Sequence, residues 1–441
     1  MKKVYLETYG CQMNVSDSER VASNLAGNGY EMTENEENAD VILINTCSVR
    51  EKAEHKLYSR VGRIRHADRP KPVIGVMGCV AQLEGNTLFK KIEGVDLVLG
   101  TRAVGRAAKA LSSVFEGKTD VIDLGEREEN YDWTVADTHR HSPYVAFVPI
   151  IEGCNKFCTY CIVPFSRGRE RSLTAAEIVR QVLELRRNGV REVHLIGQNV
   201  NSYRPESNVG LEGFEGKSAF SKLLRAVAAT GIERIKFTTS FPRDFHEDIV
   251  DAIEEHPNLC NWVHLPVQSG SNRVLKHMKR GHTIDRYLKQ IDRLRASSRD
   301  IAITTDIIVG FPGETEQDFQ ESVDLVKYCG YDSAYIFRYS PRPGTPAFEM
   351  EDDVTDAEKT LRFLELEKEQ KASQNRRLTR YLGAEVSVLV ENRSTRTENG
   401  LTGHSTCHKI VNFVGSDDLL GQVVNVKINE IKTNSLFGEL V

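Results

Sequence analysis

The sequence has no apolar run long enough to cross a membrane. Its longest nearly apolar stretch, residues 301–311, contains threonines and Asp306. That stretch is well short of the roughly 18 to 20 residues that a membrane span needs. The first residues, Met1 to Leu6, enter a strand pattern directly, so we expect neither a secretory nor a transit segment. These absences predict a cytoplasmic protein that does not associate with membranes.

A basic excess is also missing. The 441 residues carry a net charge of −5, so any nucleic-acid surface must be a local patch. The nine cysteines are clustered or lie at predicted strand ends instead of being evenly paired. That distribution suits a reducing cytosol with metal sites better than a disulfide framework. The length allows two or three domains with full cores.

Three cysteines form a tight cluster. Cys154, Cys158 and Cys161 have the spacing C-x3-C-x2-C directly after the apolar run 145–151. Iron–sulfur cubanes are normally held by four thiolates, so three would leave one iron open. The thirty residues after Cys161 contain no Cys or His, which argues against a closed four-ligand zinc site. The alternative is that all three are buried structural cysteines.

Upstream of this cluster, short apolar strands alternate with amphipathic helices, which predicts an open parallel α/β sheet. Strands are predicted at 4–8, 41–44, 73–77 and 97–99, and helices at 17–25 and 49–65. Three of the strands are followed by Cys11, Cys47 and Cys79. The carboxyl ends of parallel strands share one edge, so these thiols should meet and could hold a second three-thiolate cluster. Alternatively, they are simply small buried residues.

Downstream of the cluster, a strand–helix repeat predicts a partial (β/α)6 barrel of the TIM type. Its strands are predicted at 144–150, 193–196, 235–239, 262–267, 303–309 and 334–337. Such barrels carry their chemistry on the loops after the strands. The polar and glycine-containing loops there are 197–199, 239–240, 268–271 and 310–315. Taken singly, each loop could also be an ordinary turn.

The remaining segments set the predicted domain limits, which are 1–116, a polar linker at 117–143, 144–382 and 383–441. His139 and His141 in the linker could be metal ligands, but a solvated linker is the favoured interpretation. A charged helix is predicted at 356–380. Period-two patterns at 385–390 and 422–428 then predict a small antiparallel β-barrel, a fold that often binds oligonucleotides.

These motifs resemble the radical S-adenosylmethionine superfamily, in which an aromatic residue such as Tyr160 precedes the last cysteine of the triplet. The upstream cysteines and the terminal barrel, which resembles a TRAM domain, narrow the resemblance to the methylthiotransferases. G-C-Q-M-N-V-S-D-S-E at 10–19, G-C-V-A-Q at 78–82 and E-G-C at 152–154 resemble the branch that acts on tRNA. Where the superfamily usually has Gly-Gly-Glu, this chain has Gly197-Gln198-Asn199, which looks like the methylthiotransferase form.

The resemblance implies two [4Fe-4S] clusters and S-adenosylmethionine. Cys154, Cys158 and Cys161 would hold the cluster that cleaves S-adenosylmethionine to a 5′-deoxyadenosyl radical. Cys11, Cys47 and Cys79 would hold an auxiliary cluster that carries the sulfur to be transferred and methylated. Residues implied as cofactor contacts are Tyr160, Gly197, Gln198, Asn199, Gln268, Ser269, Gly270, Gly310, Pro312 and Glu314. Arg167, Arg169 and Arg171 are candidates for holding phosphate or cofactor carboxylate.

The implied reaction is methylthiolation of C2 of N6-isopentenyladenosine next to the anticodon in tRNA. A radical is needed because this aromatic C–H is too weakly acidic for any side-chain base tuned near pH 7. The TRAM-like barrel would grip the anticodon loop through Arg393, Arg396, His404, Lys409 and Lys432. An electron donor such as a flavodoxin or ferredoxin, a sulfur source and a monomeric state are also expected.

Two alternatives stay open. One is the related branch that modifies an aspartate of a ribosomal protein, whose members differ from Gln12-Met13-Asn14 after the first cysteine. The other is a non-catalytic iron–sulfur or zinc protein whose small barrel binds RNA. That second alternative does not predict a partial barrel with glycine-rich loops facing the cluster.

Overall fold

The computed structural model describes residues 1–48, 51–67, 70–125, 133, 135, 139–394 and 399–441, without the side chains of 51–55. The chain divides into two compact units. The first comprises Met1–His141, Phe147–Asn155 and Cys161–Arg171, and the second comprises Ser142–Ala146, Lys156–Tyr160 and Ser172–Val441. Much of the predicted linker, residues 126–132 included, and Arg396 lie outside the described residues. Within the described ranges, no helix is both long and apolar enough to span a membrane.

The first unit is built on a six-stranded parallel sheet with the order β2–β1–β3–β4–β5–β6. Its strands are β1 (Lys2–Tyr9), β2 (Tyr30–Met32), β3 (Val41–Thr46), β4 (Val73–Gly78), β5 (Leu97–Leu99) and β6 (Val121–Asp123). Its helices are α1 (Gln12–Gly27), α2 (Glu51–Arg65), α3 (Cys79–Glu84), α4 (Thr87–Lys91) and α5 (Ala107–Phe115). The predicted open parallel sheet is confirmed. The edge strands β2 and β6 were not predicted, because each is short, only partly buried and contains an acidic residue, unlike the fully apolar β5.

Both faces of this sheet are buried, as a parallel sheet requires. Leu43 of β3 packs in one apolar cluster with Val21 of α1 and Leu111 of α5. Its neighbour Ile42 points to the opposite face and packs with Leu57 of α2. All six residues of β3 are buried, and the first four, residues 41–44, form a continuous apolar run with no alternation.

Around the three-cysteine segment the elements are β7 (Val145–Pro149), β8 (Ile151–Glu152), α6 (Val163–Arg167) and β9 (Arg171–Ser172). The strands that follow are β10 (Glu192–Ile196), β11 (Arg234–Phe237), β12 (Trp262–His264), β13 (Ala302–Val309) and β14 (Ser333–Arg338). The helices are α7 (Ala175–Arg187), α8 (Ala219–Ala228), α9 (Asp248–Glu255), α10 (Asn272–His277), α11 (Ile284–Arg295) and α12 (Glu316–Cys329).

The six barrel strands form two three-stranded sheets, β11–β10–β7 and β12–β13–β14. An isolated parallel bridge between Ile235 of β11 and Leu259, just before β12, links them. The predicted partial barrel of alternating strands and helices is therefore present. Since the chain runs strand to helix throughout, the loops after the strands open at one end.

The end of the chain is a long helix, α13 (Asp356–Leu378), and a closed five-stranded barrel. The barrel strands are β15 (Glu385–Arg393), β16 (Gly400–Ser405), β17 (Ile410–Val414), β18 (Val423–Ile431) and β19 (Ser435–Leu440), in the order β15–β16–β17–β19–β18. The predicted small β-barrel is confirmed, but it is mixed instead of antiparallel throughout, because β17 and β19 are parallel. A closed ring with an odd number of strands cannot alternate in direction all the way round, so one parallel pair is unavoidable.

The barrel does not have a core to itself. Val388 and Phe413 inside it belong to the same apolar cluster as Leu378 of α13. Trp262 of β12 and Ala302 of β13 also belong to this cluster. The terminal barrel and the strand–helix repeat of the second unit therefore share part of their hydrophobic core.

Candidate functional site

Three cysteines of the first unit lie at the carboxyl edge of its sheet. Cys11 lies between β1 and α1, Cys47 follows β3, and Cys79 begins α3 directly after β4. Because β1, β3 and β4 are consecutive in the sheet, the three residues are neighbours along one edge. A hydrogen bond with Cys47 lowers the pKa of the Cys11 thiol to about 6, which favours its thiolate near neutral pH. The structure thus brings together the three strand-end thiols.

A pair of buried amides braces this edge. Asn14 Nδ2 donates to Asn45 Oδ1 at 2.9 Å, and Asn45 Nδ2 donates to the Asn14 carbonyl at 2.8 Å and to Ser18 Oγ at 2.9 Å. Asn14 Oδ1 also accepts the backbone N–H of Cys11 at 3.3 Å. Both asparagines are fully buried, so their polar atoms depend on these partners. The network ties the start of α1, where Cys11 lies, to the end of β3.

Gly78 sets the approach of β4 to β3. Its backbone has φ 93° and ψ −153°, a region almost restricted to glycine. A Cβ atom at this position would lie 2.2 Å from Asn45 Oδ1 and 2.8 Å from the Thr46 carbonyl oxygen. Glycine therefore lets the residue before Cys79 pack against the residue before Cys47.

A buried guanidinium lies beside these thiols. Arg167 Nη2 is 2.6 Å from Asp17 Oδ2, and Nη1 is 3.1 Å from Glu152 Oε1. Burial raises the pKa of the Cys79 thiol, and the charge and hydrogen bond of Arg167 oppose that rise. Burial also raises the pKa of Glu152 to about 7, although the charge of Arg167 opposes this rise. Arg167 is thus the cation next to a group of potential thiolates.

Within the first unit, Gly153 and Cys154 pack closely against the chain after α6. The Cys154 N–H donates to the Gly168 carbonyl at 3.1 Å. A Cβ atom on Gly153, whose φ is 79°, would lie 2.1 Å from the Arg169 carbonyl oxygen. Only glycine fits so close to another backbone. Cys154 is buried and Cys161 is half-buried.

Within the second unit, Cys158 is buried, and Arg280 Nη1 donates to its Sγ over 3.6 Å. The next residue, Thr159, is fixed by two bonds to the end of α10. Its N–H donates to the Met278 carbonyl at 3.1 Å, and its hydroxyl donates to the His277 carbonyl at 2.9 Å. The position of the Cys158 thiol is therefore set by the turn after α10.

Lys156 anchors the same segment from the other side. Its Nζ lies 2.6 Å from Asp244 Oδ2, and both side chains are buried. Burial raises the pKa of Asp244, but hydrogen bonds from Lys156 and Ser202 lower it to about 2. The Ser202 hydroxyl donates to the same carboxylate oxygen at 2.8 Å. Arg243 Nε also lies 3.1 Å from Asp244 Oδ1, and the ion pair with Lys156 holds the loop to the segment after β11.

The loops after β10 and β11 contain polar atoms without a protein partner. Among the described residues, Gln198 Oε1 and Ser240 Oγ are buried and accept or donate no hydrogen bond. Thr239 and Gln268, which follow β11 and β12, have φ of 68° and 79°, in the left-handed region that non-glycine residues avoid. Such strain collects at ligand sites. These features fit a small polar ligand bound at this end of the strands.

Other predicted cofactor contacts have internal roles. Glu314 Oε1 accepts the Gly310 N–H at 2.8 Å and pairs with Arg362 at 2.8 Å. A Cβ atom on Gly270 would lie 2.4 Å from the Glu321 carbonyl, so glycine is needed for packing against α12. These contacts explain the residue types without a ligand, and a second role in cofactor binding stays a prediction.

The last predicted contacts lie close to these loops. Tyr160 meets Phe311 edge-on at 6.5 Å between ring centroids. Gly197 is half-buried, whereas three further positions are buried, namely Asn199, Ser269 and Pro312. Their side-chain roles toward a cofactor also stay predictions.

The other three cysteines have ordinary buried environments. Burial raises the pKa of Cys260 to about 11 and that of Cys329 to about 12, so both stay protonated thiols. Cys407 Sγ accepts a hydrogen bond from the Tyr381 hydroxyl at 2.9 Å. None of the three belongs to either group of thiols described above.

Sequence comparison matches three regions to known families. Residues 3–100 match an uncharacterized protein family, UPF0004, residues 148–326 match the radical SAM superfamily, and residues 379–441 match the TRAM domain. The whole chain is 44% identical to the tRNA-2-methylthio-N(6)-dimethylallyladenosine synthase of Pasteurella multocida (strain Pm70), over 447 aligned residues that cover 100% of this chain and 92% of the relative. The chain belongs to the tRNA-2-methylthio-N(6)-dimethylallyladenosine synthase family.

Other members of the family are similar to this methylthiotransferase over the whole chain. The synthase of Serratia proteamaculans (strain 568) is 42% identical over 445 residues, with the same coverage of 100% and 92%. Among solved structures, the fold is similar to the radical S-adenosylmethionine methyltransferase TsrM from Kitasatospora setae, with a TM-score of 0.56, 14% identity and coverage of 79% of this chain and 75% of TsrM. The cobalamin-dependent radical enzyme OxsB has a TM-score of 0.51 at 12% identity, over 83% of this chain and 56% of OxsB. At such low identities these two likenesses show the fold alone.

Three residues of the methylthiotransferase sites carried no predicted role. Asn14 is the third residue of α1, from which a side chain can reach back to the residue that caps the helix, so a capping pattern could have identified it. Asn45 is one of several polar residues at strand ends. Arg280 follows a short helix in a charged stretch, where nothing in the spacing points to a cysteine 122 residues earlier.

Proposed function

We propose that this methylthiotransferase replaces the C2 hydrogen of N6-isopentenyladenosine, next to the anticodon in tRNA, with a methylthio group. The support from comparison is the 44% identity, over the whole chain, to synthases named for this product. One observation carries the proposal, namely that Cys11, Cys47 and Cys79 lie at one sheet edge in a chain that also has the C-x3-C-x2-C segment. Two sets of three thiols suit a reaction that needs two iron–sulfur sites with different tasks.

We further propose that Cys154, Cys158 and Cys161 bind one [4Fe-4S] cluster, and that Cys11, Cys47 and Cys79 bind another. Three ligands leave one iron of each cluster open. When bound, the clusters supply the electron that cleaves S-adenosylmethionine and a position for the sulfur to be transferred. The chain supplies thiolates, a buried cation at Arg167 that offsets negative charge, and shelter from water.

The residues proposed to orient S-adenosylmethionine lie at the carboxyl ends of β10 to β13. Gln198 Oε1 and Ser240 Oγ are the best supported, because they are buried and lack protein partners in the described part of the chain. Polar groups of this kind can accept from the amine or donate to the carboxylate of the cofactor. Gly310 and Glu314 would act by shaping the loop instead, since the Glu314 carboxylate is occupied by Arg362.

We propose that the terminal barrel binds the tRNA backbone. Arg393 and Lys432 have side chains that are 71% and 53% exposed, so they can reach phosphates, although acidic neighbours partly offset their charge. His404 contacts Glu391, and Lys409 Nζ donates to the Asp332 carbonyl at 3.3 Å, so these two are less available. Binding should weaken as salt rises, because phosphate contacts release counterions.

Point substitutions test the RNA surface better than removal of the barrel, because the barrel shares its core with Trp262 and Leu378. Replacement of Arg393 and Lys432 by glutamine should weaken tRNA binding and flatten its salt dependence. Arg180→Gln is the matched control, since that arginine is 60% exposed on α7. Equal binding by the double variant and the control would refute this assignment.

The reaction is tested by incubating the reconstituted protein with S-adenosylmethionine, a reductant and isopentenylated tRNA. The expected product is a methylthio group on the isopentenylated adenosine, with no product on tRNA that lacks the isopentenyl group. A Cys154→Ala variant is the negative control. A protein that binds its clusters but modifies a ribosomal protein instead of tRNA would refute the proposal. The reductant can be chemical, although we expect a flavodoxin or ferredoxin as the natural donor and a separate sulfur source.

A further inference from the structure

A buried arginine lies against one of the thiols of the C-x3-C-x2-C segment. Arg280 Nη1 donates to Cys158 Sγ over 3.6 Å, and both residues are buried. Arginine stays protonated at any pH that a protein tolerates, so this contact places a permanent positive charge beside the sulfur. A charge in a buried site is weakly screened and acts strongly on its neighbour.

The guanidinium is held by contacts that do not involve the thiol. Arg280 Nη2 donates to the Pro266 carbonyl at 2.7 Å, and its Cζ lies 4.3 Å from the centroid of the Phe241 ring. Both contacts hold the plane of the guanidinium in place, and neither changes its formal charge. The arginine is therefore oriented before any cofactor binds.

The backbone after α10 explains how this arginine reaches the site. Lys279 has φ 55°, in the left-handed region, and turns the chain back at the end of the helix. The Arg280 N–H then donates to the Leu275 carbonyl at 3.0 Å. The same turn receives both hydrogen bonds of Thr159, the residue after Cys158. The arginine and the thiol are thus fixed to one short piece of backbone.

The contacts of Lys156 differ from those of Arg280. Lys156 is also a buried cation of this loop, but its Nζ lies 2.6 Å from a carboxylate oxygen of Asp244. Its charge is offset within that pair. Arg280 instead directs a donor group at the Cys158 thiol.

We propose that Arg280 sets the reduction potential of the cluster bound through Cys158, by donating a charge-assisted hydrogen bond to that sulfur. Adding an electron makes a thiolate-bound cluster more negative, so a nearby cation and an N–H donor to sulfur favour the reduced form. Arg280 acts through a cluster ligand and is a positioning and tuning residue. The proposal rests on the proposed function, because it requires a cluster at this segment.

The test is a redox titration followed by electron paramagnetic resonance on the full-length chain, with Cys11, Cys47 and Cys79 replaced by alanine so that one cluster gives the signal. Arg280→Gln should reduce the equilibrium population of reduced cluster at least tenfold at a given potential, which is about 59 mV for a one-electron couple. Arg286→Gln is the matched control, because Arg286 is exposed on α11 and donates to the Arg243 carbonyl. It should leave the potential unchanged.

The outcomes separate the possible failures. Equal potentials for Arg280→Gln and the parent protein, at equal iron content, would overturn the proposal, because a purely structural arginine changes stability and not potential. If Arg280→Gln binds too little iron, Arg280→Met replaces it, since methionine has a long side chain but neither a charge nor an N–H donor. A potential equal to that of the parent in that variant also overturns the proposal. A parent protein that binds no iron at all refutes the proposed function instead.

Discussion

Replacement of Gly78 by alanine should remove one of the two proposed iron–sulfur sites and spare the other. The backbone there, with φ 93° and ψ −153°, costs a non-glycine residue about 1–3 kcal/mol. The new methyl group would also meet Asn45 Oδ1 at 2.2 Å and the Thr46 carbonyl at 2.8 Å. Forcing an extra group into a packed site adds about 1–3 kcal/mol, so the total is about 2–6 kcal/mol. Asn45 can move only by breaking its bonds to Asn14, and the carbonyl belongs to β3.

The readouts are iron content after anaerobic reconstitution and thermal unfolding of the apoprotein. The two proposed four-iron clusters would correspond to about eight irons per chain, and Gly78→Ala should retain about four. Gly29→Ala is the matched control, because Gly29 has a similar φ of 85° with nothing within 4 Å of an added Cβ. The free energy of unfolding of this variant should fall only by the backbone cost of about 1–3 kcal/mol, and the variant should keep all of its iron. Full iron in Gly78→Ala, with a melting temperature equal to that of Gly29→Ala, would refute the argument.

Three further predictions concern buried groups. Arg167→Gln leaves Asp17 and Glu152 without their shared guanidinium. It should lower the free energy of unfolding by about 3–5 kcal/mol. An unchanged melting temperature of the apoprotein would contradict this prediction. Burial lowers the pKa of His282 to about 3, so the unfolded chain binds its proton first as pH falls below 6.5. Stability should therefore fall by about 2 kcal/mol between pH 7 and pH 5, measured by urea unfolding, and His282→Gln should lack this component. Cys407→Ala should keep its full iron content, and loss of half of it would show that the ligands are misassigned.

The edge where three thiols meet could be predicted because it follows from topology. Strands that alternate with helices form parallel sheets, and parallel strands end on one side, so Cys11, Cys47 and Cys79 had to be near each other once the strands were identified. The starts of β3 and β4 likewise follow from strong apolar patterns, although the strands run two residues and one residue past their predicted ends. Their periodicity is a local property of the chain, and it survives folding unchanged.

What could not be predicted depends on contacts between distant segments. Asn14 and Asn45 are 31 residues apart, and their pairing appears only when α1 and β3 are packed together. Arg280 reaches Cys158 because Lys279 adopts a left-handed conformation that lysine rarely takes, so no propensity would indicate the turn. The parallel pair of β17 and β19 follows from the number of strands in the closed ring, which the two predicted strand segments did not reveal.

The long helix α13 limits where a chain of this kind can be recombined with a relative. At its start, Lys359 packs over Gly310 and Arg362 pairs with Glu314, whereas its last residue, Leu378, lies in the core of the terminal barrel. Its 23 residues span about 35 Å as one stiff rod. A barrel taken from a relative and joined at residue 383 would meet a foreign surface at both Leu378 and Trp262. Viable chimeras should therefore inherit this helix and the barrel together, so the heritable module is larger than the terminal barrel.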